Sequence, residues 1–252
     1  MILISTAKIN KRIAYGSVRA IYQYLVSCIE KDYETLRVLK NSKRGSVSLL
    51  RHRQNGTRFI FRNYQGSGEV YRKLLSVSCP NLPGIMEAAE QNGRVAVLEE
   101  YIQGDSLAFL LAGGCLTPAQ ARDITLQICK ALWVLHSMGA VHRDIKPENV
   151  IIRGSEAVLI DFDASRIFKN EMNQDTQILG TTGYAAPEQY GITQTDERAD
   201  IYSLGVLLNL MLTGKHPSKE LANGRLGRIV QKCTMVNPKK RYKSVLYLME
   251  AL

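Results

Sequence analysis

The side chains best able to do chemistry lie near the middle of the chain, in Val141-His142-Arg143-Asp144-Ile145-Lys146-Pro147-Glu148-Asn149-Val150. Asp144 supplies a carboxylate, Lys146 an ammonium and Asn149 a carboxamide, within one polar stretch bounded by apolar residues. Phosphoryl transfer needs those three groups: an acid to orient a hydroxyl, a cation for the moving phosphoryl and an oxygen for Mg²⁺. The plain alternative is a charged turn between two strands. The rest of the chain decides between them.

Elements on both sides can position this loop. Thr117-Pro118-Ala119-Gln120 is a helix start, with Thr117 as N-cap, Pro118 at the first helical position and Gln120 completing a capping box. Ile124, Ile128, Ala131, Leu132 and Leu135 then form an apolar stripe that Gly139 ends, delivering the chain into the loop. Downstream, Ala157–Ile160 reads as a short strand leading to Asp161. Upstream, from about Tyr33, the pattern is of strands. Asn55-Gly56 and Asn92-Gly93 each separate two apolar runs, the strongest short hairpin signal. Before them Ile13, Val18, Ile21, Leu25 and Ile29 recur at helical spacing, predicting an amphipathic helix packed on the domain or on a partner.

The 252 residues suffice for one two-lobed domain or two small ones, and 45% hydrophobic with 22% charged residues is a globular composition. A net charge of +10 suits an acidic partner: nucleotide phosphate, acidic protein, nucleic acid or anionic lipid. The basic residues are spread along the chain, with small clusters at Lys8–Arg12, Arg51–Arg53 and Lys239–Lys243, and no RNA-binding or zinc-finger signature accompanies them, so nucleic acid is not the expected partner. Cys28, Cys79, Cys115, Cys129 and Cys233 are widely separated with no C-x-x-C pair, which reads as reduced thiols in a cytosolic chain. No apolar run reaches the roughly 18 residues of a membrane span, and Met1-Ile2-Leu3-Ile4 is too short for a signal peptide. The expectation is a cytoplasmic protein.

The loop resembles the catalytic loop of eukaryotic-type protein kinases, H-R-D-x-x-x-x-N. Asp161-Phe162-Asp163 stands in the place of the D-F-G motif, and Ala186-Pro187-Glu188 is similar to the A-P-E motif. The resemblance, closest to bacterial serine/threonine kinases, runs from about Leu36 to Leu252. It implies an α+β fold with a small antiparallel N-lobe at 33–102 and a mainly helical C-lobe at 103–252, after a helical extension at 1–32. It further implies ATP and Mg²⁺ as cofactors and a protein Ser/Thr substrate. Asp144 would orient the hydroxyl, Lys146 would neutralise the phosphoryl charge, and Asn149 and Asp161 would hold the metal. His142 is expected to pack structurally. Arg143 marks the class controlled through activation-loop phosphorylation. Lys169–Thr176 resembles that loop, and Thr176, Thr181 and Thr182 are its candidate phosphate acceptors. Asp200 is expected to cap amides near His142 and Arg143, and Arg241 to pair with Glu188. Gly214–Gly227 stands where kinases carry a longer helical insert, implying a reduced substrate platform.

The N-terminal half departs from the family pattern. Of the glycine-rich loop G-x-G-x-x-G-x-V, aligned with Lys40 to Val47, Gly45 and the closing Val47 remain, and Lys40, Lys43 and Arg44 could supply charge instead. The phosphate-binding lysine position falls on Arg62, whose planar fork is not equivalent. Its helical glutamate partner falls on Val70, one residue from Glu69. Glu99 occupies the gatekeeper position and Glu100 the hinge. A buried lone carboxylate is costly, so Glu99 is expected to pair with Arg62 across neighbouring strands; the alternative is an offset register that exposes it. Asp163 replaces the D-F-G glycine, predicting a less mobile motif with its metal site retained.

The function implied is transfer of the ATP γ-phosphate to protein hydroxyls, with autophosphorylation. A nucleotide-binding pseudokinase is the alternative that Arg62, the degraded glycine loop and Asp163 would permit. A small-molecule kinase is disfavoured by Ala186-Pro187-Glu188 and by Lys146.

Overall fold

A computed structural model describes residues 18–168, 183–190 and 195–252. The chain divides into two compact units. One takes it up to Val77 together with Gly84–Tyr101; the other takes Ser78–Pro83 and the chain from Ile102. Thr176, Thr181, Thr182 and the segment Lys169–Thr176 lie outside the described residues.

In the first unit, α1 (Val18–Asp32) leads into β1 (Tyr33–Ser42), β2 (Gly45–His52), β3 (Arg58–Gln65), β4 (Ile85–Gln91) and β5 (Arg94–Glu100). A short α2 (Glu69–Leu74) lies between β3 and β4, and its buried Val70, Tyr71 and Leu74 occupy one side. The sheet is antiparallel in the order β1-β2-β3-β5-β4.

The two Asn-Gly pairs make different turns. Asn92 and Gly93 both have positive φ, 51° and 73°, and close a two-residue hairpin beside the Gln91–Arg94 pair. At the other site only Gly56 is left-handed (φ 71°). There His52 N–H donates to Thr57 O at 2.8 Å and leaves four residues in the loop, so the two-residue turn expected from Asn55-Gly56 does not form.

Helix α1 packs on its own sheet. Leu25 and Ile29 are buried among Leu50, Ala89, Ala96 and Leu98, with Ile21, Tyr22 and Val26 partly buried beside them. These positions recur every three or four residues, which puts them on one face. Ile13 and the side chain of Val18 lie outside the described residues. The apolar stripe predicted for the domain or a partner thus covers the domain's sheet.

The second unit contains β6 (Asp105–Ser106), α3 (Leu107–Ala112), α4 (Pro118–Ser137), β7 (Ala140–Val141), β8 (Val150–Arg153), β9 (Glu156–Leu159) and β10 (Arg166–Ile167). Three further helices follow: α5 (Arg198–Thr213), α6 (Gly224–Cys233) and α7 (Val245–Ala251). The capping box forms as read: Gln120 N–H donates to Thr117 Oγ1, and Thr117 N–H to Gln120 Oε1 at 3.0 Å. Along α4, Ala121, Thr125, Ile128, Cys129, Leu132 and Leu135 are buried. Burying one such leucine contributes about 1.5–3 kcal/mol. Helix α5 is buried over most of its length, and Gly205 lets it approach α6: a Cβ there would sit 2.4 Å from Cys233 Cβ. Between Thr213 and Gly224 the chain is not helical, a short connection. Asn81 ties 78–83 to this unit, donating through Nδ2 to Ala157 O at 2.9 Å. Among the described residues no helix is long and apolar enough to cross a membrane.

Candidate active site

The central loop is held from below by α5. Asp200, in the first turn of that helix, is completely buried. It accepts the backbone N–H groups of His142 and Arg143, each at 2.8 Å, and contacts His136 Nε2 at 2.9 Å. Burial alone would raise its carboxyl pKa; the bonds to His136 and the Arg143 amide hold it below the usual range instead. Arg143 has φ 70°, a left-handed conformation that a bulky residue keeps only when its surroundings hold it. Asp200 provides that hold. The capping role expected of Asp200 is therefore the one it has.

Within the loop, Lys146 Nζ donates to Asp144 Oδ2 at 2.7 Å. Asn149 Nδ2 donates to the Asp144 carbonyl at 2.8 Å and to Asp144 Oδ2 at 3.0 Å. The Pro147–Asn149 segment is one 3₁₀ turn, which brings Asn149 back beneath Asp144. Because the Asn149 nitrogen faces Asp144, its Oδ1 is turned to the other side of the amide.

Asp161 arrives on the neighbouring strand. Val150 pairs with Leu159, and Ile160 N–H donates to Asn149 O at 2.9 Å, so Asp161 follows one residue beyond Asn149's backbone partner. The left-handed residue of the Asp161-Phe162-Asp163 motif is Asp161 (φ 70°), whereas Asp163 is not among the positive-φ residues. Asp163 replaces glycine at a position that does not need glycine's freedom. Phe162 is buried and meets the His142 ring edge-on, with centroids 5.5 Å apart. Burial pushes the His142 pKa down. Asp144 N–H donates to its Nδ1 at 3.3 Å, so Nε2 carries the proton and faces Ile160 O at 3.2 Å. His142 is a neutral packing residue.

Arg241 forms a bidentate pair with Glu188, at 2.6 Å and 2.8 Å. It also donates to the carbonyls of Met235 and Arg198, at 2.8 Å and 2.9 Å.

Sequence reasoning missed two supports. His136 anchors Asp200 from α4; it is a polar residue four positions after Leu132 on the buried stripe, and that misplacement was its signal. Gln189 accepts from Ala186 N–H at 2.9 Å and donates to Arg143 O at 3.0 Å, tying the Ala186–Glu188 segment to the loop. Nothing in the sequence marked Gln189, since its partner lies far away in the chain.

In the sheet unit, Val47 lies opposite Arg62 and Arg62 opposite Val97, while Glu99 lies opposite Ile60. Arg62 and Glu99 are diagonal neighbours on one face, and Arg62 Nε donates to Glu99 Oε1 at 2.7 Å. Both are buried, at 4% and 2% exposure, so the pair anticipated between them forms. Glu69, one residue from the expected helical position, is half-buried at the start of α2.

Gly45 shares the Arg62 face and has a reason of its own. Its φ is 151°, and a Cβ there would fall 2.3 Å from Asn63 O and 2.4 Å from Tyr64 Cα. The β1–β2 tip is a tight turn at Lys43 and Arg44 in place of an open glycine loop. Glu100 lies opposite Phe59, on the other face, and its carboxylate accepts Gly84 N–H at 3.0 Å. Register thus unites Gly45, Val47, Arg62 and Glu99 and leaves Glu100 apart.

An antiparallel sheet unit, a mainly helical unit and a loop carrying Asp144, Lys146 and Asn149 define a protein kinase. The family profile described as protein kinase domain matches residues 33–247, and the chain belongs to that family. Its relatives include serine/threonine-protein kinase pkn2 of Myxococcus xanthus, 34% identical over 154 residues, covering 58% of this chain and 19% of that one. Serine/threonine-protein kinase PknD of Mycobacterium tuberculosis is 34% identical over 200 residues, covering 73% and 30%. Mitogen-activated protein kinase kinase 2 of Arabidopsis thaliana is 30% identical over 199 residues, covering 74% and 54%. The chain spans less than a third of the two bacterial relatives.

Proposed function

We propose that this chain is an ATP-dependent serine/threonine protein kinase, transferring the γ-phosphate of ATP to Ser or Thr hydroxyls of proteins, itself included, in cytoplasmic signalling. The observation that carries this reading is the Asp144–Lys146–Asn149 cluster, bonded internally and clamped by Asp200. Five free thiols with no disulfide among the described residues suit a cytoplasmic chain.

Asp144 accepts a hydrogen bond from the incoming hydroxyl and aims its oxygen in line with the γ-phosphorus. Lys146, bonded to Asp144 at 2.7 Å, is held ready to neutralise charge on the transferring phosphoryl. Arg62 pairs with phosphate oxygens in the lysine's place, positioned by Glu99. Gly45 and Val47 serve the nucleotide as neighbours on the same sheet face, and Glu100 through its hinge position.

The donor set fits Mg²⁺: Asn149 offers an amide oxygen whose nitrogen is already engaged, and Asp161 a carboxylate, both hard oxygen ligands. Bound there, the ion would neutralise charge on the ATP phosphates.

The test incubates purified protein with Mg-ATP and a generic basic protein, with Asp144→Asn as control, and maps the phosphate by mass spectrometry. Phosphoserine or phosphothreonine above the control supports the proposal. Nucleotide binding without transfer would instead make the chain a pseudokinase.

A further inference from the structure

Helix α6 presents a basic stripe. Arg225, Arg228 and Lys232 fall at i, i+3 and i+7, all exposed, while Gly227, Ile229, Val230 and Cys233 point inward. The helix contains no acid. Exposed Lys239, Lys240 and Lys243 follow it, and the only acids from residue 215 to the end are Glu220 and Glu250. Glu220 is bonded to Lys215 Nζ at 2.6 Å.

Two cations of the stripe are held in place. Arg225 donates to Ala251 O at 2.8 Å, and Lys232 Nζ stands 4.2 Å above the Tyr242 ring. Between Lys232 and Lys239, Val236 is 75% exposed. Its backbone is rigid, because buried Arg241 donates to the carbonyls of both Met235 and Val236, at 2.8 Å and 3.2 Å. An apolar knob on a fixed backbone, beside a cation held over the Tyr242 ring, is a recognition feature.

We propose that the outer face of α6, with the Met235–Val236 turn, is a docking surface for an acidic segment of the protein substrate. Carboxylates meet Arg225, Arg228 and Lys232, and one apolar side chain of that segment packs on Val236. The stripe runs seven residues along a helix, about 10 Å, the reach of roughly three residues of extended peptide. A membrane surface fits less well, since the outer positions of α6 are all polar (Arg225, Arg228, Gln231 and Lys232) and Met235 and Val236 beyond its end are not the apolar helix face that insertion needs. Arg241 also grips Glu188, so the Met235–Val236 turn is fastened directly to the Ala186–Glu188 segment. The proposal rests on protein being the substrate.

The test uses two peptides, a short threonine peptide and the same peptide extended by Glu-Asp-Leu-Glu-Glu, with wild type and Arg228→Glu/Lys232→Glu. In wild type the extension lowers KM about tenfold at low salt, and the double reversal removes that gain while kcat on the short peptide is unchanged. Anisotropy of the fluorescein-labelled extended peptide reads binding without catalysis, so an inactive kinase leaves docking measurable. Val236→Asp weakens that binding as well. Equal KM ratios or equal anisotropy affinities in wild type and reversal overturn the proposal. So does phosphatidylglycerol-vesicle binding that the reversal abolishes while peptide affinity stays the same.

Discussion

Replacing Glu99 by leucine removes the carboxylate that lies 2.7 Å from the Arg62 Nε, in surroundings where both side chains are almost wholly buried. Two unit charges about 4 Å apart at an effective dielectric near 20 attract by about 4 kcal/mol. Truncating one partner of a buried pair costs about 3–5 kcal/mol, because the other charge stays buried without it. Replacing both partners by apolar residues is often neutral. Glu99→Leu and Arg62→Met should therefore each lower stability by about 3–5 kcal/mol, and the double variant by far less than their sum. Urea unfolding followed by circular dichroism measures all three against wild type. The same cycle bears on catalysis: Glu99→Gln should raise KM for ATP more than it lowers kcat, since a loosened Arg62 grips phosphate less well. Arg62→Lys alone should not raise activity, since Glu99 is placed for a guanidinium. Additive single effects, each under about 1 kcal/mol, would mean that Arg62 and Glu99 are not coupled.

Arg241→Met removes both bonds to Glu188 and should cost about 3–5 kcal/mol, read as a fall in urea midpoint. Gly205→Ala forces a methyl to within 2.4 Å of Cys233 Cβ and should cost about 1–3 kcal/mol by the same measurement. Stability should also depend on pH with a defined sign. Folded His142 has a depressed pKa, so below about pH 6.5 the unfolded chain binds the proton first and stability falls. Asp200, likewise depressed, gives a contribution that is intact above the ordinary carboxyl pKa of about 3.9 and lost as pH falls through its lowered value. Urea midpoints from about pH 7.5 to about pH 5 should fall, and His142→Asn should flatten that slope.

What the sequence disclosed depended on whether the interacting groups are close along the chain. The loop from His142 to Asn149 was legible because its three working side chains lie close along the chain, between residues 144 and 149, and Lys146 and Asn149 both bond to Asp144. Asp200 was legible as an acid at the start of an otherwise apolar helix. Glu99 could be matched to Arg62 because a carboxylate between Leu98 and the hinge had to find a cation. His136 was marked as a polar residue on an apolar stripe, but its partner Asp200 and the whole role of Gln189 were not legible, since both depend on groups brought close only by tertiary folding. The two Asn-Gly pairs mark a different limit. The same dipeptide closes a two-residue turn at Asn92-Gly93 and a four-residue loop after His52, because strand pairing stops at different distances from the turn. Gly45 aligns with the glycine-rich loop, yet the close approach of β3 requires a glycine there on its own account.

In the proposed reaction Asp144 directs phosphoryl transfer. The most direct test of that role measures initial rates of γ-phosphate transfer by wild type and Asp144→Asn, alongside the Kd of each for Mg-ADP. The expected result is a rate lowered by about 10²–10⁴-fold with nucleotide affinity nearly unchanged. Equal rates in the two proteins, or no transfer by a wild type that binds nucleotide normally, would contradict it.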